Sequence, residues 1–459
     1  STLSFSFWIL SSINSLISIL NTIVAMYLFF FKDHTIEKYL PKFFKSNLYL
    51  IYIGFTIISG LSIVVAFNLT ESLVQYSRLI NIVITFSLLG LLFINRKHLF
   101  SQIAIILVTT TFIEGFFVLQ DFYKNEKGLE LMPLVLETIK WTTGNKNIFT
   151  ASLVAKLPFL IYLFTTKSGF WKYFSLVTLF ISTHIVYLSI TRTAFIGMIL
   201  VFATFLIGSF IVKKTNDKST TIQVLIASVV FVISCFLAQN KIDSLLQKTQ
   251  QANTEATAGT DNKSQVLAKL GDSEGDVRFK YWEAATEIIK ENPLLGVGYG
   301  NYKLYTPNYT KYLLGDSTFS KHPHNDFFFV AGESGILALI LYLSLFLVAI
   351  FILLKNIFTG KDPNRKLINL TLLTSLGICL LDSLFNFPKE RPISQLILII
   401  NFVLIIIYNV KQDEATNEDT AVKSNKLKLI SVLITLVSAV IVYTNYVTTE
   451  SMKVQGIAD

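Results

Sequence analysis

Residues 330–355 read VAGESGILALILYLSLFLVAIFILLK, and this stretch decides the fold class. It contains no charged residue between Ser334 and Leu354, a run as long as the roughly 20 apolar residues that a helix needs to cross a bilayer. Backbone polar groups in lipid must be satisfied within the segment, and the alternating pattern of a barrel strand is absent. The stretch therefore predicts a transmembrane helix.

Similar apolar runs recur on both sides of this segment along the 459-residue chain. The composition agrees, because 52% of the residues are hydrophobic and only 15% are charged, whereas a soluble domain is about one-quarter charged. The sequence thus predicts an all-α polytopic membrane protein with about 12 transmembrane helices and one large outer loop that carries short helices. The predicted spans are residues 6–31, 48–68, 77–95, 99–119, 148–166, 171–190, 194–212, 222–239, 330–355, 366–386, 392–410 and 427–445.

The net charge of +9 reflects the placement of lysine and arginine in the loops. One set of short loops holds 19 of these residues and the opposite set holds 8, so the richer set is cytoplasmic by the positive-inside rule. Because topology accounts for this excess, it does not indicate a nucleic-acid-binding surface. Ser1 then lies outside, which favours one more span upstream. The outer segments are residues 120–147, 191–193, 240–327 and 387–391.

The predicted spans divide the chain into four parts. These are the N-terminal helices 1–239, the large outer loop 240–329 with the candidate functional elements, the C-terminal helices 330–445 and an outer tail 446–459. Within the loop, the polar residues 240–277 predict a mobile segment. A helix capped by Asp276 is expected to follow it, with Phe279 and Trp282 at helical spacing.

Two histidines, His322 and His324 in the stretch KHPHND, lie on the outer side directly before the segment quoted first. A catalytic zinc normally has three protein ligands, and no third histidine or cysteine lies outside, so no metal is expected. A neutral imidazole, with an ordinary pKa near 6.5, suits a general base. The alternative interpretation is a capping or interfacial histidine.

Two outer arginines are candidate anion ligands. Arg192 interrupts the apolar hairpin YLSITRTAFIGMIL, and Arg278 lies in the first turn of the outer-loop helix, where free N–H groups and the helix dipole add to its charge. Two guanidinium groups on one face suit a diphosphate. The alternatives are a side chain that snorkels to lipid phosphate and a solvated helix face. Within the membrane, Glu114 and Lys156 lie on adjacent apolar segments and can pair.

Four sequence elements occur in order on the predicted outer face. Together they resemble the O-antigen ligase superfamily of bacterial inner-membrane proteins, which includes O-antigen polymerases and protein O-oligosaccharyltransferases. The resemblance covers about two-thirds of the chain, and it departs at Ala338, where glycine or a hydroxyl residue is common. The first element is Gly144-Asn145-Lys146-Asn147, and the second is the turn that carries Arg192. The third consists of Arg278 and Trp282, followed by Asn292-Pro293-Leu294-Leu295-Gly296-Val297-Gly298. The fourth is His324-Asn325 with Glu333-Ser334-Gly335-Ile336.

The resemblance implies a metal-independent, inverting glycosyltransferase without a cofactor, in the bacterial inner membrane, with its active site facing the periplasm. Its donor would be a glycan on undecaprenyl diphosphate and its acceptor lipid A–core or an exported protein. In this interpretation His324 is the base, and Arg192 and Arg278 bind the diphosphate. The supporting residues are Asn325, Asp326, His322, Trp282, Asn145, Lys146 and Glu333.

The ligase interpretation comes first, a protein O-oligosaccharyltransferase acting on Ser or Thr second, and an O-antigen polymerase third. A transporter of lipid-linked glycans is the non-enzymatic alternative, although the sequence shows no internal repeat of the kind common in transporters. The aromatic residues 327–329 are expected to line a groove for the prenyl tail or to anchor at the interface. Some relatives carry an outer helical-repeat domain after the last span, so residues 446–459 are expected to begin a further periplasmic domain.

Overall fold

The computed structural model describes residues 2–30, 41–94, 96, 98–126, 135–136, 138–212, 219–256, 274–314, 321–410, 429, 431–441 and 443. Within these residues every regular element is a helix. Nine of the described helices are long and apolar enough to cross a membrane. The predicted all-α polytopic membrane protein is therefore confirmed for the described part of the chain.

Twelve helices of the described segments overlap the twelve predicted spans, and two more, α9 and α10, lie in the predicted outer loop. Short 3₁₀ turns occur at Ser62–Val65, Trp141–Thr143 and Pro388–Glu390. The helices are α1 Thr2–Phe30, α2 Asn47–Leu61, α3 Leu69–Phe93, α4 Leu99–Glu126, α5 Lys146–Thr166, α6 Phe170–Leu188, α7 Arg192–Val212, α8 Ser219–Ala256, α9 Glu274–Glu291, α10 Tyr302–Leu314, α11 Asp326–Thr359, α12 Pro363–Phe385, α13 Pro392–Val410 and α14 Ser431–Ile441.

Helix α8 is longer than the sequence predicts. The span was expected to end at residue 239, before a mobile segment, but the helix continues to Ala256. Lys241 and Lys248 on the added turns reach the carboxylate of Glu126 at the end of α4, with N–O distances of 2.6 and 3.2 Å. The added turns are rich in Gln, Lys and Ala, which are good helix formers. Residues 257–273 of the expected mobile segment lie outside the described residues.

The chain divides into two compact units, each assembled from segments that are distant in sequence. The first unit comprises Ser1–Lys97, Arg278–Ala349 and Asn386–Asp459. The second comprises His98–Val277 and Ile350–Phe385. The four-part division expected from the sequence follows membrane topology instead, and it stays a prediction.

In the second unit, helix α5 is buried on nearly every side and packs against α4, α6, α7 and α12. Apolar residues occur around its whole circumference, which is typical of a central helix. Nζ of Lys156 on α5 lies 2.5 Å from Oε2 of Glu114 on α4, so the predicted intramembrane pair is confirmed. The pairing matters because an uncompensated ammonium in apolar surroundings is strongly unfavourable.

In the first unit, helix α3 packs against α1, α2 and α13. The side-chain amide of Asn21 on α1 donates to Oδ1 of Asn81 at 2.8 Å and to Oγ1 of Thr85 at 3.0 Å, both on α3. Such hydrogen bonds hold transmembrane helices together because lipid offers no competing partner. They fix α3, whose N-terminal end contacts the loop described next.

Candidate active site

Helix α11 is broken at Gly335, and the loop that follows α9 fits into the break. Gly335 has φ +82°, and a Cβ atom there would lie 2.0 Å from the carbonyl oxygen of Leu294 in that loop. The N–H of Ile336 donates to the carbonyl of Pro293 at 2.9 Å, which ties the loop to the break. Both the positive φ and the close backbone approach require glycine. The glycine of the fourth sequence element thus has a structural reason.

The same loop is held from another side by the turn between α2 and α3 and by the first turn of α3. The N–H of Tyr299 donates to the hydroxyl of Ser62 at 3.1 Å, and the hydroxyl of Ser72 donates to the carbonyl of Tyr299 at 2.6 Å. At Gly298, with φ +93°, a Cβ atom would lie 2.6 Å from Ala66. The loop is therefore held in place by hydrogen bonds and close packing on two sides.

Asn325 caps α11, and His324 directly precedes this cap residue. Its Oδ1 accepts hydrogen bonds from the N–H groups of Phe327 at 2.9 Å and Phe328 at 3.2 Å, as an N-cap residue does. His324 comes directly before the cap and has φ +54°, a left-handed conformation that is uncommon for a residue with a side chain. Backbone strain of this kind is concentrated at functional sites.

The imidazole of His324 lies among aromatic rings and close to a guanidinium. Tyr281 stacks on it with ring centres 6.0 Å apart, and Phe387 makes an edge contact at 5.2 Å. Burial, then the positive charge of Arg278, and then His322 lower the pKa of His324 to about 4. His324 is therefore neutral at pH 7. Its Nδ1 is shielded from solvent and makes no hydrogen bond to any described residue.

His322 is packed between two phenylalanine rings. It stacks on Phe387 with ring centres 4.3 Å apart and meets the edge of Phe329 at 5.3 Å. Its Nε2 lies 3.6 Å from Oε2 of Glu390. Burial lowers the pKa of His322 to about 4 although Glu390 opposes the shift, so His322 is neutral at pH 7 and this contact is not an ion pair. His322 thus packs the turn before α13 against residues 322–325, the histidine segment.

A buried ion pair lies behind the histidines. Nζ of Lys389 is 2.7 Å from Oε2 of Glu333, and the N–H of Gly300 donates to Oε1 of Glu333 at 3.0 Å. The N–H of Lys389 also donates to Oδ2 of Asp326 at 3.0 Å. Burial opposes the charge on Lys389, but the carboxylate of Glu333 raises the pKa of this ammonium above its usual value. Asp326 and Glu333 therefore connect α11 to the turn before α13.

Trp282 joins α9 to the start of α11, because its ring stacks on Phe328 with centres 5.9 Å apart. Phe329, which was expected to line a groove or anchor at the interface, is only 2% exposed. It belongs instead to a core cluster because the start of α11 packs on α9. The predicted cap residue Asp276 lies inside α9, which begins two residues earlier at Glu274. The cluster comprises Ala285, Ile288, Val297, Tyr302 and Phe329.

Three predicted site residues, Arg192, Asn145 and Lys146, lie in the second unit. Asn145 is the N-cap of α5 and accepts a hydrogen bond from the N–H of Asn147 at 2.8 Å. The hydroxyl of Thr191 donates to Oδ1 of Asn147 at 3.3 Å, which links this N-terminus to the turn where α7 begins. Arg192 is the first residue of α7, and its side chain is exposed. Lys146 is the first residue of α5.

The other seven predicted site residues lie in the first unit. Sequence reasoning missed Tyr281 and Phe387, whose rings contact His324. Tyr281 lay beside two residues chosen for helical spacing, and Phe387 lay in the predicted outer segment 387–391, where no site residue was named. The seven residues are His324, Arg278, His322, Asn325, Asp326, Glu333 and Trp282.

The arrangement suits proton transfer next to a bound anion. The neutral imidazole of His324 can accept a proton from a hydroxyl group. The guanidinium of Arg278 can bind a phosphate with two parallel hydrogen bonds. The rings of Tyr281 and Phe387 shield part of the imidazole from water, which strengthens electrostatic interactions there.

Comparison with protein families gives a match to part of the chain. Residues 177–343 match the family model described as O-antigen ligase. The matched region contains Arg192, Arg278, His324 and Gly335. A search of curated proteins found no match. The resemblance seen in the sequence is thereby confirmed for this region.

Proposed function

We propose that the chain is an inner-membrane glycosyltransferase of the O-antigen ligase type. In this proposal it moves a glycan from undecaprenyl diphosphate to a hydroxyl group of lipid A–core on the periplasmic face. The observation that carries the proposal is the neutral His324 beside Arg278 within the region that matches the family model.

The proposed reaction is a single displacement. The acceptor hydroxyl attacks the anomeric carbon from the side opposite the leaving group, and its new bond to carbon forms as the bond from carbon to the phosphate oxygen breaks. The configuration is inverted, and the electron pair of the broken bond goes to undecaprenyl diphosphate. The hydroxyl proton goes to the imidazole of His324. No metal takes part in this scheme.

Arg278 has two effects in the proposed mechanism. Its guanidinium binds the diphosphate and stabilises the negative charge that develops on the leaving group. In the free protein the same positive charge disfavours protonation of His324. A bound diphosphate offsets this charge, so donor binding makes His324 a stronger base. Arg192 is proposed as a second diphosphate ligand on the strength of its sequence motif.

The enzymatic proposal is tested with purified protein, an undecaprenyl-diphosphate glycan and lipid A–core. The expected product besides the glycosylated acceptor is undecaprenyl diphosphate. His324→Asn is the suitable variant, because asparagine tolerates the left-handed backbone found at this position. It should abolish transfer and leave donor binding within about twofold. A wild-type rate for His324→Asn rules out the proposed base.

A matched control is available at His98, which is exposed and has φ +55°. His98→Asn introduces the same residue in the same backbone conformation and should transfer at the wild-type rate. Inhibition of the wild-type protein by EDTA, reversed by added metal, contradicts the metal-independent scheme.

The acceptor is tested in a deletion strain. We expect glycan to be lost from lipopolysaccharide and retained on exported glycoproteins. The opposite pattern would replace the ligase proposal with a protein O-oligosaccharyltransferase.

A further inference from the structure

Arg391, in the turn before α13, lies one aromatic ring away from His324. The central carbon of its guanidinium is 4.8 Å from the centre of the Phe387 ring. The same ring contacts His324 at 5.2 Å and His322 at 4.3 Å. A guanidinium stacked on a ring keeps its N–H groups in the plane free to bind a ligand at its edge.

The described residues only partly balance the positive charge of Arg391. No described carboxylate forms a salt bridge with it, and its Nε is shielded from solvent without a hydrogen bond to any described residue. The adjacent carboxylate, Glu390, contacts Nε2 of His322 instead. Burial therefore lowers the pKa of Arg391, and Glu390 only partly opposes this shift. Lys389, two residues earlier, is by contrast fully paired with Glu333.

A partly buried guanidinium without an anion is unfavourable, because desolvation is not offset by a hydrogen bond. An anionic ligand removes this penalty when it binds. Because the ring of Phe387 contacts both Arg391 and the two histidines, a ligand bound by Arg391 lies next to the histidine segment.

We infer that Arg391 is a binding residue for an anionic phosphate or carboxylate group of the substrate, next to the group held at His324. The inference rests on the proposed function for the identity of the substrate. Two sources share this chemistry, namely the diphosphate of the donor and an anionic substituent on the acceptor. A planar guanidinium binds either one with paired, charge-assisted hydrogen bonds.

The first experiment measures anion binding by the purified full chain, without turnover. The probes are inorganic pyrophosphate for the donor group and mannose 6-phosphate for an acceptor substituent. Arg391→Gln should weaken the binding of one probe by about tenfold or more, and Arg391→Lys should weaken it less, since lysine keeps the charge but lacks the planar fork. Lys290→Gln, an equal change of charge at an exposed site of α9, should leave both affinities unchanged.

The probe that is affected identifies the source of the anion. Weaker pyrophosphate binding indicates the donor diphosphate, and weaker mannose 6-phosphate binding indicates the acceptor. Unchanged affinity for both probes, or failure of the wild-type protein to bind either, overturns the inference. Should Arg391→Gln misfold, modification of Arg391 by phenylglyoxal in the wild-type protein gives an independent test. At least one of the two probes should protect Arg391, and modification that neither probe prevents overturns the inference.

Turnover assays separate this inference from the proposed function. When the donor diphosphate is the ligand, Arg391→Gln raises KM for the donor by about tenfold, and otherwise it raises KM for the acceptor. If the wild-type protein transfers glycan and Arg391→Gln has the same KM values for donor and acceptor, the inference is overturned and the proposed function stands. Anion binding through Arg391 without any glycosyl transfer overturns the proposed function and leaves the anion site standing.

Discussion

Nζ of Lys389 lies 2.7 Å from Oε2 of Glu333, and the two side chains are only 4% and 2% exposed. Glu333 belongs to the short part of α11 before the break at Gly335, whereas Lys389 belongs to the turn that also carries Phe387. The ion pair therefore fixes the distance between the segment that follows His324 and the ring that contacts it.

Breaking this pair from one side should destabilise the protein strongly. Lys389→Met leaves the carboxylate of Glu333 buried without its counter-ion, which costs about 3–5 kcal/mol in comparable cases. The thermal unfolding temperature of the purified protein measures the loss. The double variant Glu333→Gln with Lys389→Met should recover part of it, because neither member of the pair then carries a charge.

The exposed pair Lys290–Glu287 provides the control for this prediction. Its N–O distance is also 2.7 Å, but its side chains are 65% and 49% exposed. Lys290→Met should therefore change the unfolding free energy by less than about 1 kcal/mol. Equal unfolding temperatures for the two lysine variants would mean that burial adds nothing to the pair at the site.

Gly335→Ala should be among the most damaging single-methyl substitutions in the chain. The added Cβ would lie 2.0 Å from the carbonyl oxygen of Leu294, at a φ of +82° that disfavours alanine. We expect loss of folded protein in detergent, measured by size-exclusion chromatography, and loss of activity in any fraction that survives.

Gly377→Ala is the matched control, because an added Cβ there has open space within 4 Å. It lies inside helix α12, where alanine is favoured over glycine by about 1 kcal/mol. This variant should be as stable as the wild type or slightly more so. A Gly335→Ala protein with the same yield and unfolding temperature would contradict the close fit of the loop into the broken helix.

The sequence could predict the helices because their signal is local. Runs such as residues 330–355 satisfy both the length and the polarity that a bilayer demands, so every predicted span overlaps a described helix. Some ends differ by more than a few residues, as in α3, which begins at Leu69 rather than at residue 77. The extension of α8 to Ala256 was missed because it depends partly on Glu126, a residue more than a hundred positions away that binds two lysines of α8. Such a long-range contact has no local signature.

The candidate site shows the same difference between local and long-range information. His324 and Asn325 were found because a cap and its flanking residue form one short motif. Glu333 was named as a supporting residue, but its partner Lys389 was not named as a site residue. The contact of Phe387 with the histidines depends on how the turn before α13 packs in the first unit, which no pattern in the turn itself reveals.

Arg278→Gln should impair handling of the donor more than folding. The positive charge of this guanidinium acts on His324, and loss of one charge-assisted contact with a phosphate lowers kcat/KM for the donor by about 10–100-fold. Lys280→Gln, an equal change of charge at an exposed position of the same helix, serves as the control and should stay within about twofold of the wild type. Equal effects of the two variants would indicate a general contribution of positive charge rather than a specific ligand.

The pH dependence of transfer tests the environment of His324. Burial and the charge of Arg278 lower the pKa of this imidazole to about 4, so the base is lost only as the pH falls towards that value. We expect the acid limb of kcat/KM for the donor near pH 4 rather than near the ordinary histidine value of about 6.5. Arg278→Gln removes a nearby positive charge, which favours the protonated imidazole, so the limb should move to higher pH.

Folding has to be followed in the same pH range, since His322 and His324 are neutral in the folded protein at a pH where histidines of the unfolded chain bind protons. The unfolded state therefore gains stability as the pH falls from about 6.5 to 4, and recovery of activity on return to pH 7 separates titration from unfolding. Lys290→Gln should leave the limb where it is in the wild type. A wild-type limb near pH 6.5, or a downward shift in Arg278→Gln, would contradict a desolvated His324 beside this guanidinium.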